Sequence, residues 1–368
     1  MTKVVNDVLM ATDSGKPSIL LSLDISAAFD KLDHTRLLQR ATELFGLDDI
    51  VTNWLKSYLT NRTSYVFFQN CRSSVVGCNT GVTQGSVLGP LLFSIFTSPV
   101  GQLISACNIS YHQYADDTQL YTSVDPSSSA DITRLSSCAE AVTKWHLENC
   151  LLLNPSKTEV LVTGTRPQVS KFNNATADSN AFQFAGTSVC RSNAIRVLGV
   201  TIDQHLTFDN HVANIVQACN YHIRGLRHIR QLIDKDMGLA NTLTCSIVDC
   251  RLDYCNALLY GMTQRNFDGL QRVQNSLARL VCKAPYRCSS QPLLKSLHWL
   301  PVTERVMYKI ATLTYKVRLH QQPSYLLQHI GLYHPARSLH SSNSMLLTVP
   351  PTKTVTELAL SVFPPQLY

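Results

Sequence analysis

The chain has 368 residues, of which 45% are hydrophobic and 15% charged, a composition that excludes disordered and fibrous chains and leaves room for about two or three compact units. The net charge of +7 is unevenly distributed, because residues 1–205 carry 15 basic and 17 acidic side chains whereas residues 206–368 carry 17 and 8. The positive charge of residues 206–368 is typical of a surface that binds a polyanion. A basic surface can also serve only to keep a protein soluble.

The cysteines and the N-terminus indicate an intracellular protein. Twelve cysteines occur without paired spacing, which favours buried thiols in a reducing compartment and disfavours a zinc site. The first residues lack the apolar core and cleavage site of a signal peptide. Residues 73–115 contain no charged side chain, and 87–104 is mostly apolar. Pro90 and Pro99 favour a buried, interrupted helix there over a membrane span.

The first candidate functional residue follows an apolar run at residues 18–25 (SILLSLDI). This pattern predicts a strand buried on both faces, with Asp24 at its C-terminal end. Burying Asp24 without a partner would cost several kcal/mol, so its carboxylate is expected to face a cation or a group of donors. The segments after it have helical spacing at 37–45 and 50–59 and strand-like composition at 63–69 and 74–79.

A glycine-punctuated loop, GVTQGSVLGP at residues 81–90, leads into the uncharged helix. Pro90 suits the first turn of that helix. Gly85 and Gly89 allow the backbone to come close to a flat or bulky group. The alternative is a simple connector.

Two adjacent carboxylates, Asp116 and Asp117, lie in the sequence YADD at residues 114–117. The flanking residues 109–114 and 118–124 alternate and are rich in β-branched and aromatic side chains, which predicts a hairpin with the acids at its tip. Their mutual repulsion is relieved if a divalent cation such as Mg²⁺ binds them. Aspartate is also common in turns for its own backbone hydrogen bonds, and that interpretation is favoured for the pair taken alone.

The three acids together indicate a specific chemistry. If the strand that ends at Asp24 lies beside the hairpin that carries Asp116 and Asp117, the carboxylates converge. Such a group can hold two cations about 3.5–4 Å apart, the arrangement that activates an attacking oxygen and stabilises a leaving one in phosphoryl transfer.

The rest of the chain changes from strands to helices near residue 206. An amphipathic helix at 135–149 is followed by a turn at 153–158, a strand at 159–163 and an expected surface loop at 164–180. The remaining predicted elements are strands at 181–189 and 194–203 and helices at 212–229, 239–259, 266–281 and 301–319. The helices predict a bundle with a basic exterior.

Five segments, in order, resemble motifs of the reverse transcriptase domain of non-LTR (LINE-type) retrotransposons. They are LSLDISAAFDKLDH, GVTQGSVLGPLLFSIF, YADDTQLY, LNPSKTEVL and RVLGVTID. The resemblance is close over residues 18–205 and weaker to about 320. It implies an α+β fold: a polymerase palm, which is an antiparallel sheet with packed helices, followed by an α-helical thumb. The implied domains are a palm with a remnant of fingers at 1–205, a thumb-like region at 206–320 and a poorly ordered segment at 321–368.

The resemblance also implies catalytic roles for four residues. Asp24 and Asp116 would bind two Mg²⁺ ions, with Mn²⁺ as an alternative, and Asp117 would assist them, either as a third metal ligand or in a more structural role. Lys157 would reach the leaving pyrophosphate and neutralise charge or deliver a proton. Without the resemblance, a solvated lysine in a turn is the favoured interpretation.

Substrate-binding roles are implied for four further residues. The backbone amide of Ile25 would meet the triphosphate of a deoxynucleotide. Phe29 would lie beneath the sugar and exclude a 2′-OH, although ordinary core packing also explains an aromatic residue there. Gln84 and Gly85 would line the nucleotide pocket beside the templating base.

A primer-binding role is implied for Leu198 and Gly199, in a turn that supports the primer end. The helices after residue 206 would contact phosphates without reading sequence. The implied partners are therefore an RNA template, a DNA primer and deoxynucleoside triphosphates, with no membrane. The expected location is the nucleus or a cytoplasmic ribonucleoprotein.

The function implied is that of an RNA-directed DNA polymerase fragment that extends a primer 3′-OH by two-metal nucleotidyl transfer. Asp24 follows only 23 residues, so we expect an N-terminally truncated domain with its fingers largely missing and no endonuclease. The alternative is a catalytically inactive, nucleic-acid-binding remnant of a retroelement. A metal-dependent hydrolase is a third hypothesis, which lacks any histidine-based metal set.

Overall fold

A computed structural model of the chain describes residues 1–176, 181–184, 186–232, 237–332 and 347–348. The chain forms two compact units. We call them the sheet unit (Pro17–Val162 and Ser170–Asn193) and the helical unit (Met1–Lys16, Thr163–Val169 and Ala194–Tyr368). The division of function at residues 205 and 320 stays a prediction, and most of the predicted segment 321–368 lies outside the described residues.

Fourteen strands occur in the described part of the chain, all before residue 204. They are β1 (Ser18–Leu23), β2 (Ile25–Ser26), β3 (Thr63–Ser64), β4 (Phe67–Phe68), β5 (Cys71–Arg72), β6 (Val76–Gly77), β7 (Ser110–Tyr114), β8 (Asp117–Ser123), β9 (Leu152–Leu153), β10 (Glu159–Thr163), β11 (Ala181–Phe184), β12 (Thr187–Ser192), β13 (Ala194–Val197) and β14 (Val200–Asp203). The predicted change from strands to helices is therefore confirmed.

The α-helices occur along the whole described part of the chain. They are α1 (Thr2–Asp13), α2 (His34–Glu43), α3 (Asp49–Leu59), α4 (Gly89–Ala106), α5 (Ala130–Glu148), α6 (Arg166–Ala175), α7 (Asp209–Arg230), α8 (Met237–Thr244), α9 (Cys250–Asp253), α10 (Gln264–Val281), α11 (Ser290–Ser296), α12 (Val302–His320) and α13 (Ser324–Leu327).

Several sequence predictions of secondary structure are wrong. The single strands expected at 181–189 and 194–203 are each a hairpin, β11–β12 and β13–β14. The surface loop expected at 164–180 contains α6, because Phe172 is fully buried and anchors the helix despite its polar composition. Residues 177–180 of that loop lie outside the described residues. The single helix expected over 239–259 is broken by a π-helical turn at Cys245–Asp249 and a 3₁₀ turn at Asn256–Leu259.

The centre of the sheet unit is a six-stranded sheet in the order β11-β12-β10-β1-β8-β7. Most neighbours are antiparallel, but β10 and β12 run parallel, so the sheet is mixed rather than purely antiparallel as predicted. Strand β1 is buried along nearly its whole length, as predicted. Its odd-numbered side chains pack with α4 and α5 in one apolar core; these side chains are Ile19, Leu21 and Leu23.

Helix α4 is the uncharged helix of the sequence, and it packs in the sheet unit with Pro99 inside it. Its Phe93 and Phe96 are fully buried in a second core with α2 and α3. None of the described helices has both the length and the apolar character needed to cross a membrane.

In the helical unit, α7 packs along α10. Apolar side chains at helical spacing form the contact, among them Ile223 and Leu226 of α7 and Leu270 and Leu277 of α10. Arg230, at the end of α7, is buried and donates hydrogen bonds to the carbonyl oxygens of Leu280 and Val281.

Candidate active site

Asp24 lies where the first strand changes partners. Strand β1 pairs with β8 as far as Leu23, and β2 then pairs with β9 from Ile25 onward. Between the two pairings, the backbone oxygen of Asp24 accepts a hydrogen bond from the Asn154 amide at 2.8 Å. The Asp24 side chain is 27% exposed, so its carboxylate faces a partly solvated edge of the sheet unit.

Asp116 and Asp117 lie at the tip of the β7–β8 hairpin, as the sequence predicts. Tyr114 pairs with Asp117, which leaves a two-residue loop of Ala115 and Asp116. Ala115 has a φ of +54°, an uncommon conformation for a residue with a side chain. Because Leu23 is opposite Thr118 in the β1–β8 register, the next residues of the two strands, Asp24 and Asp117, lie at the same end of the sheet.

The charges of the three acids interact. The pKa of Asp117 is raised above its usual value of 3.8, first by burial and then by the negative charges of Asp116 and Asp24. The Oδ2 atom of Asp24 is buried and accepts no hydrogen bond from the described residues. The Nζ of Lys157 lies 3.2 Å from this oxygen, an ion pair outside hydrogen-bond geometry. The cluster therefore has excess negative charge.

Lys157 reaches Asp24 because a short capped turn follows β9. The side-chain oxygen of Asn154 accepts hydrogen bonds from the amide and hydroxyl of Ser156, at 3.1 and 2.6 Å, and starts a 3₁₀ turn at Pro155–Lys157. Because the Asn154 amide is also bound to the Asp24 backbone oxygen, the turn is fixed beside the acid. The lysine is 65% exposed and remains free to reach a ligand.

Neutralising Asp117 is expected to stabilise the metal-free chain at neutral pH. Its raised pKa means that the folded chain binds a proton more tightly than the unfolded chain. Stability therefore falls as the pH rises from about 3.8 through the raised pKa. Asp117→Asn removes this loss, so the variant should melt at a higher temperature than wild type at pH 7, with a difference that shrinks toward pH 4.

Thermal melts at both pH values, in buffer with a chelator, measure the effect. The matched control is Asp30→Asn, which neutralises an exposed carboxylate of the same unit and should leave the melting temperature unchanged. A wild type that is as stable as Asp117→Asn at pH 7 would contradict the expected repulsion.

Phe29 and the glycine loop are brought together by backbone hydrogen bonds. The amide of Val82 donates to the carbonyl oxygen of Phe29 at 2.8 Å. The Phe29 ring is half-buried and packs on Phe93, with 4.9 Å between ring centroids. Gln84 and Gly85 are exposed in the same loop, and Gly85 has a φ of +80° with open space around it. The turn that carries Phe29 and the loop that carries Gln84 and Gly85 are therefore joined by a backbone hydrogen bond.

Gly81 is a site residue that the sequence interpretation missed. Its φ is +79°, and a Cβ there would lie 2.7 Å from the backbone oxygen of Asp30. The Gly81 amide donates to the carbonyl oxygen of Leu32 at 2.8 Å, and its own carbonyl oxygen contacts His34 Nε2 at 2.7 Å. Only glycine allows this close contact between the loop and the turn that carries Phe29. The signal in the sequence is the first glycine of GVTQG.

Ile25 has its side chain in the apolar core, and its backbone lies opposite Leu153. Leu198 and Gly199 belong to the helical unit, where they form the two-residue loop of the β13–β14 hairpin with φ values of +47° and +79°. The hydroxyl of Tyr254 donates a 2.6 Å hydrogen bond to the carbonyl oxygen of Leu198. The roles predicted for these residues toward triphosphate and primer stay predictions.

The residues at the end of β1 and β8 fit a divalent cation by their chemistry. Three carboxylates lie at one end of the sheet, the pKa of Asp117 is raised by burial and then by the charges of the other two, and a buried oxygen of Asp24 accepts no hydrogen bond from the described residues. In the described part of the chain, no group of three or more His, Cys, Asp or Glu side chains is placed so that it could hold a metal ion. Binding would therefore require the carboxylates to adjust.

The chain is similar to a known protein family and to individual proteins. Residues 2–202 match the family described as reverse transcriptase (RNA-dependent DNA polymerase). The chain is 27% identical over 337 residues to the RNA-directed DNA polymerase from mobile element jockey of Drosophila melanogaster, covering 89% of this chain and 35% of the relative. It is 26% identical over 362 residues to the probable RNA-directed DNA polymerase from transposon BS of the same organism, covering 92% and 36%.

The structure also aligns with telomerase from Candida albicans in complex with a fragment of telomeric RNA. The TM-score is 0.41 and the identity 12%, with 89% of this chain and 51% of the telomerase covered. The chain spans about a third of the length of the jockey and BS relatives. The relatives confirm the predicted resemblance to LINE-type retrotransposon enzymes. Since the family match extends over more than half of its residues, the chain belongs to the reverse transcriptase (RNA-dependent DNA polymerase) family.

Proposed function

We propose that the chain catalyses RNA-directed DNA synthesis, extending a primer 3′-OH with deoxynucleotides on an RNA template. The observation that carries this proposal is the convergence of Asp24, Asp116 and Asp117 at one end of a sheet, with Lys157 beside Asp24. In this proposal, the sheet unit is the polymerase palm and the helical unit serves as the thumb. The jockey and BS relatives, named as RNA-directed DNA polymerases, support the same reaction.

Asp24, Asp116 and Asp117 are the residues that would hold two Mg²⁺ ions. Bound there, the ions would activate the primer 3′-OH and stabilise charge on the leaving pyrophosphate. Lys157 acts on the leaving side, where its exposed ammonium group can turn from Asp24 to the pyrophosphate and neutralise charge or donate a proton. The turn that fixes Lys157 beside Asp24 therefore places the proposed proton donor and the proposed metal-binding carboxylates at one edge of the sheet unit.

The turn of Phe29 and the loop of Gln84 and Gly85 form the nucleotide side of the site in this proposal. The Phe29 ring is held by Phe93 and by the Val82 amide on its own carbonyl, so it presents a rigid wall. Such a wall beneath the sugar selects against a 2′-OH by its bulk. The exposed Gln84 and the open space beside Gly85 leave room for the base, and the backbone amide of Ile25 serves the triphosphate.

A primer-binding role is proposed for the hairpin of Leu198 and Gly199, which lies in the helical unit. Beside it, the helical unit contains a cleft of about 780 Å³. Its lining includes two arginines, Arg196 and Arg251, together with Tyr254, and no acidic side chain. This positive cleft suits a phosphodiester backbone, and the Tyr254 hydroxyl holds the hairpin loop at its edge through Leu198.

Primer extension with the purified chain tests the proposal. We expect incorporation of deoxynucleotides on an RNA template annealed to a DNA primer when Mg²⁺ is present, and none after chelation. The control protein is the double variant Asp116→Ala/Asp117→Ala, which keeps both units but removes two of the three acids. If wild type incorporates no more than this variant, the proposal is wrong and the alternative of an inactive nucleic-acid-binding remnant is supported.

A further inference from the structure

Residues 63–77 of the sheet unit form a projecting hairpin, which we call the aromatic arm. Strand β3 pairs with β6, and β4 pairs with β5. The tip residues Gln69 and Asn70 both have positive φ, +45° and +62°, as in the two-residue turns that match the twist of paired strands. Every residue of the arm is exposed. Because all its residues are exposed, the arm presents surface that no other described element covers. A lone two-stranded hairpin of this kind is only marginally stable.

The exposed surface of the arm is apolar and aromatic. Phe67 and Phe68 are 65% and 69% exposed, Tyr65 is 50% exposed, and Val66 and Val76 are exposed by more than 60%. Single exposed apolar residues are ordinary, but a contiguous group of this kind marks a binding surface.

The charge of the region favours a polyanion as the partner. No Asp or Glu occurs between Asp49 and Asp116, whereas Arg62 and Arg72 lie in or beside the arm. The Arg72 guanidinium carbon is 3.8 Å from the centroid of the Tyr65 ring. Arg72 also lies directly opposite Phe67 in the strand pair. Two aromatic rings and a guanidinium plane therefore share one face of the arm.

Helix α3, which precedes the arm in the chain, carries a second group of exposed aromatic side chains. Trp54, which is 55% exposed, stacks on Tyr58 with 6.0 Å between ring centroids and an angle of 10°. The Arg62 guanidinium carbon is 5.0 Å from the Tyr58 ring, and Arg62 directly precedes the arm. The alternation of rings with arginines is the pattern on which unpaired bases stack while cations contact the phosphates. An apolar protein partner would not require the arginines.

We propose that the aromatic arm binds single-stranded nucleic acid, with unpaired bases stacked on Tyr65 and Phe67 and Arg72 at the backbone phosphates. The identification of that strand as the unpaired part of the RNA template rests on the proposed function. The binding of a single strand to the arm does not depend on the proposed function.

Fluorescence anisotropy with the full-length chain tests this inference. The probe is a labelled, unstructured oligouridine, with a matched single-stranded DNA and a blunt duplex as further arms. We expect the double variant Tyr65→Ala/Phe67→Ala to bind the single strands at least about tenfold more weakly, because each stacked base contributes substantially to affinity. Binding of the blunt duplex should change by less than about twofold. Arg72→Lys, which keeps the charge but loses the planar group, should weaken single-strand binding to a smaller extent.

The matched control is Val75→Ala/Val76→Ala, which removes exposed aliphatic side chains from the same arm. It should bind both single strands like wild type. An aromatic double variant that binds the single strands as tightly as wild type overturns the inference. So does a result in which this variant loses only a concentration-dependent self-association in sedimentation, since the arm would then be an interface between copies.

Primer extension on the same preparations separates this inference from the proposed function. If wild type incorporates no nucleotides but the aromatic variant still loses single-strand affinity, the arm binds nucleic acid and the polymerase proposal fails. If incorporation is metal-dependent and single-strand affinity does not depend on Tyr65 and Phe67, the polymerase proposal is supported and the inference about the arm fails.

Discussion

Replacing Asp24 with asparagine is expected to lower the rate of metal-dependent incorporation by about three orders of magnitude while the protein stays folded. The Oδ2 of Asp24 is buried and accepts no hydrogen bond from the part of the chain that the structure describes, and its carboxylate interacts with the charge on Asp117. An amide of the same shape removes the charge that a divalent cation needs. Loss of several kcal/mol of transition-state stabilisation corresponds to a rate reduction of about 10³-fold.

Single-turnover primer extension measures the rate, and a thermal melt of the same sample measures stability. The melting temperature should not fall, because the substitution relieves repulsion on Asp117 and removes only an ion pair with a largely exposed lysine. Asp30→Asn is the control, since this acid is exposed on the turn that follows Asp24. Retention of more than about a tenth of wild-type activity by Asp24→Asn would falsify the assignment of Asp24 as a metal ligand.

The convergence of the acids could be predicted from the sequence, because both strands carry local signals. The apolar run before Asp24 and the alternation around YADD identify two strands and the ends at which the acids lie. The register that puts Leu23 opposite Thr118 could not be predicted in the same way, because it depends on residues almost a hundred positions apart. For the same reason the parallel pairing of β10 with β12 was missed.

Local sequence also failed to predict several contacts between residues that are distant in the chain. Gly81 looked like one glycine among several in a loop, and only its contact with Asp30, about fifty positions earlier, explains why a side chain cannot be accommodated. Tyr254 offered no signal at all, since its role depends on the carbonyl of Leu198. The aromatic arm was predicted as two strands, but strand-like composition does not reveal that every residue in it is exposed.

A large loss of stability is expected when Arg305 is replaced by alanine. Arg305 lies on α12 and is 15% exposed. Its Nη2 binds Oδ2 of Asp249 at 3.0 Å, and its Nη1 lies 3.2 Å from Oδ1 of Asp253. Asp249 lies on the π-helical turn and is 6% exposed, so the variant leaves a buried carboxylate without a countercharge. Removing one partner of such a pair costs about 3–5 kcal/mol.

Urea denaturation followed by circular dichroism should show this loss as a lower midpoint for the helical signal. Lys316→Ala, an exposed position on the same helix, is the control and should change the free energy of unfolding by less than about 0.5 kcal/mol. The pair Asp249→Asn/Arg305→Ala should recover part of the loss, because the uncompensated charge is then absent. A loss below about 1 kcal/mol for Arg305→Ala would show that water reaches Asp249, and that the π-helical turn is held by apolar packing rather than by this arginine.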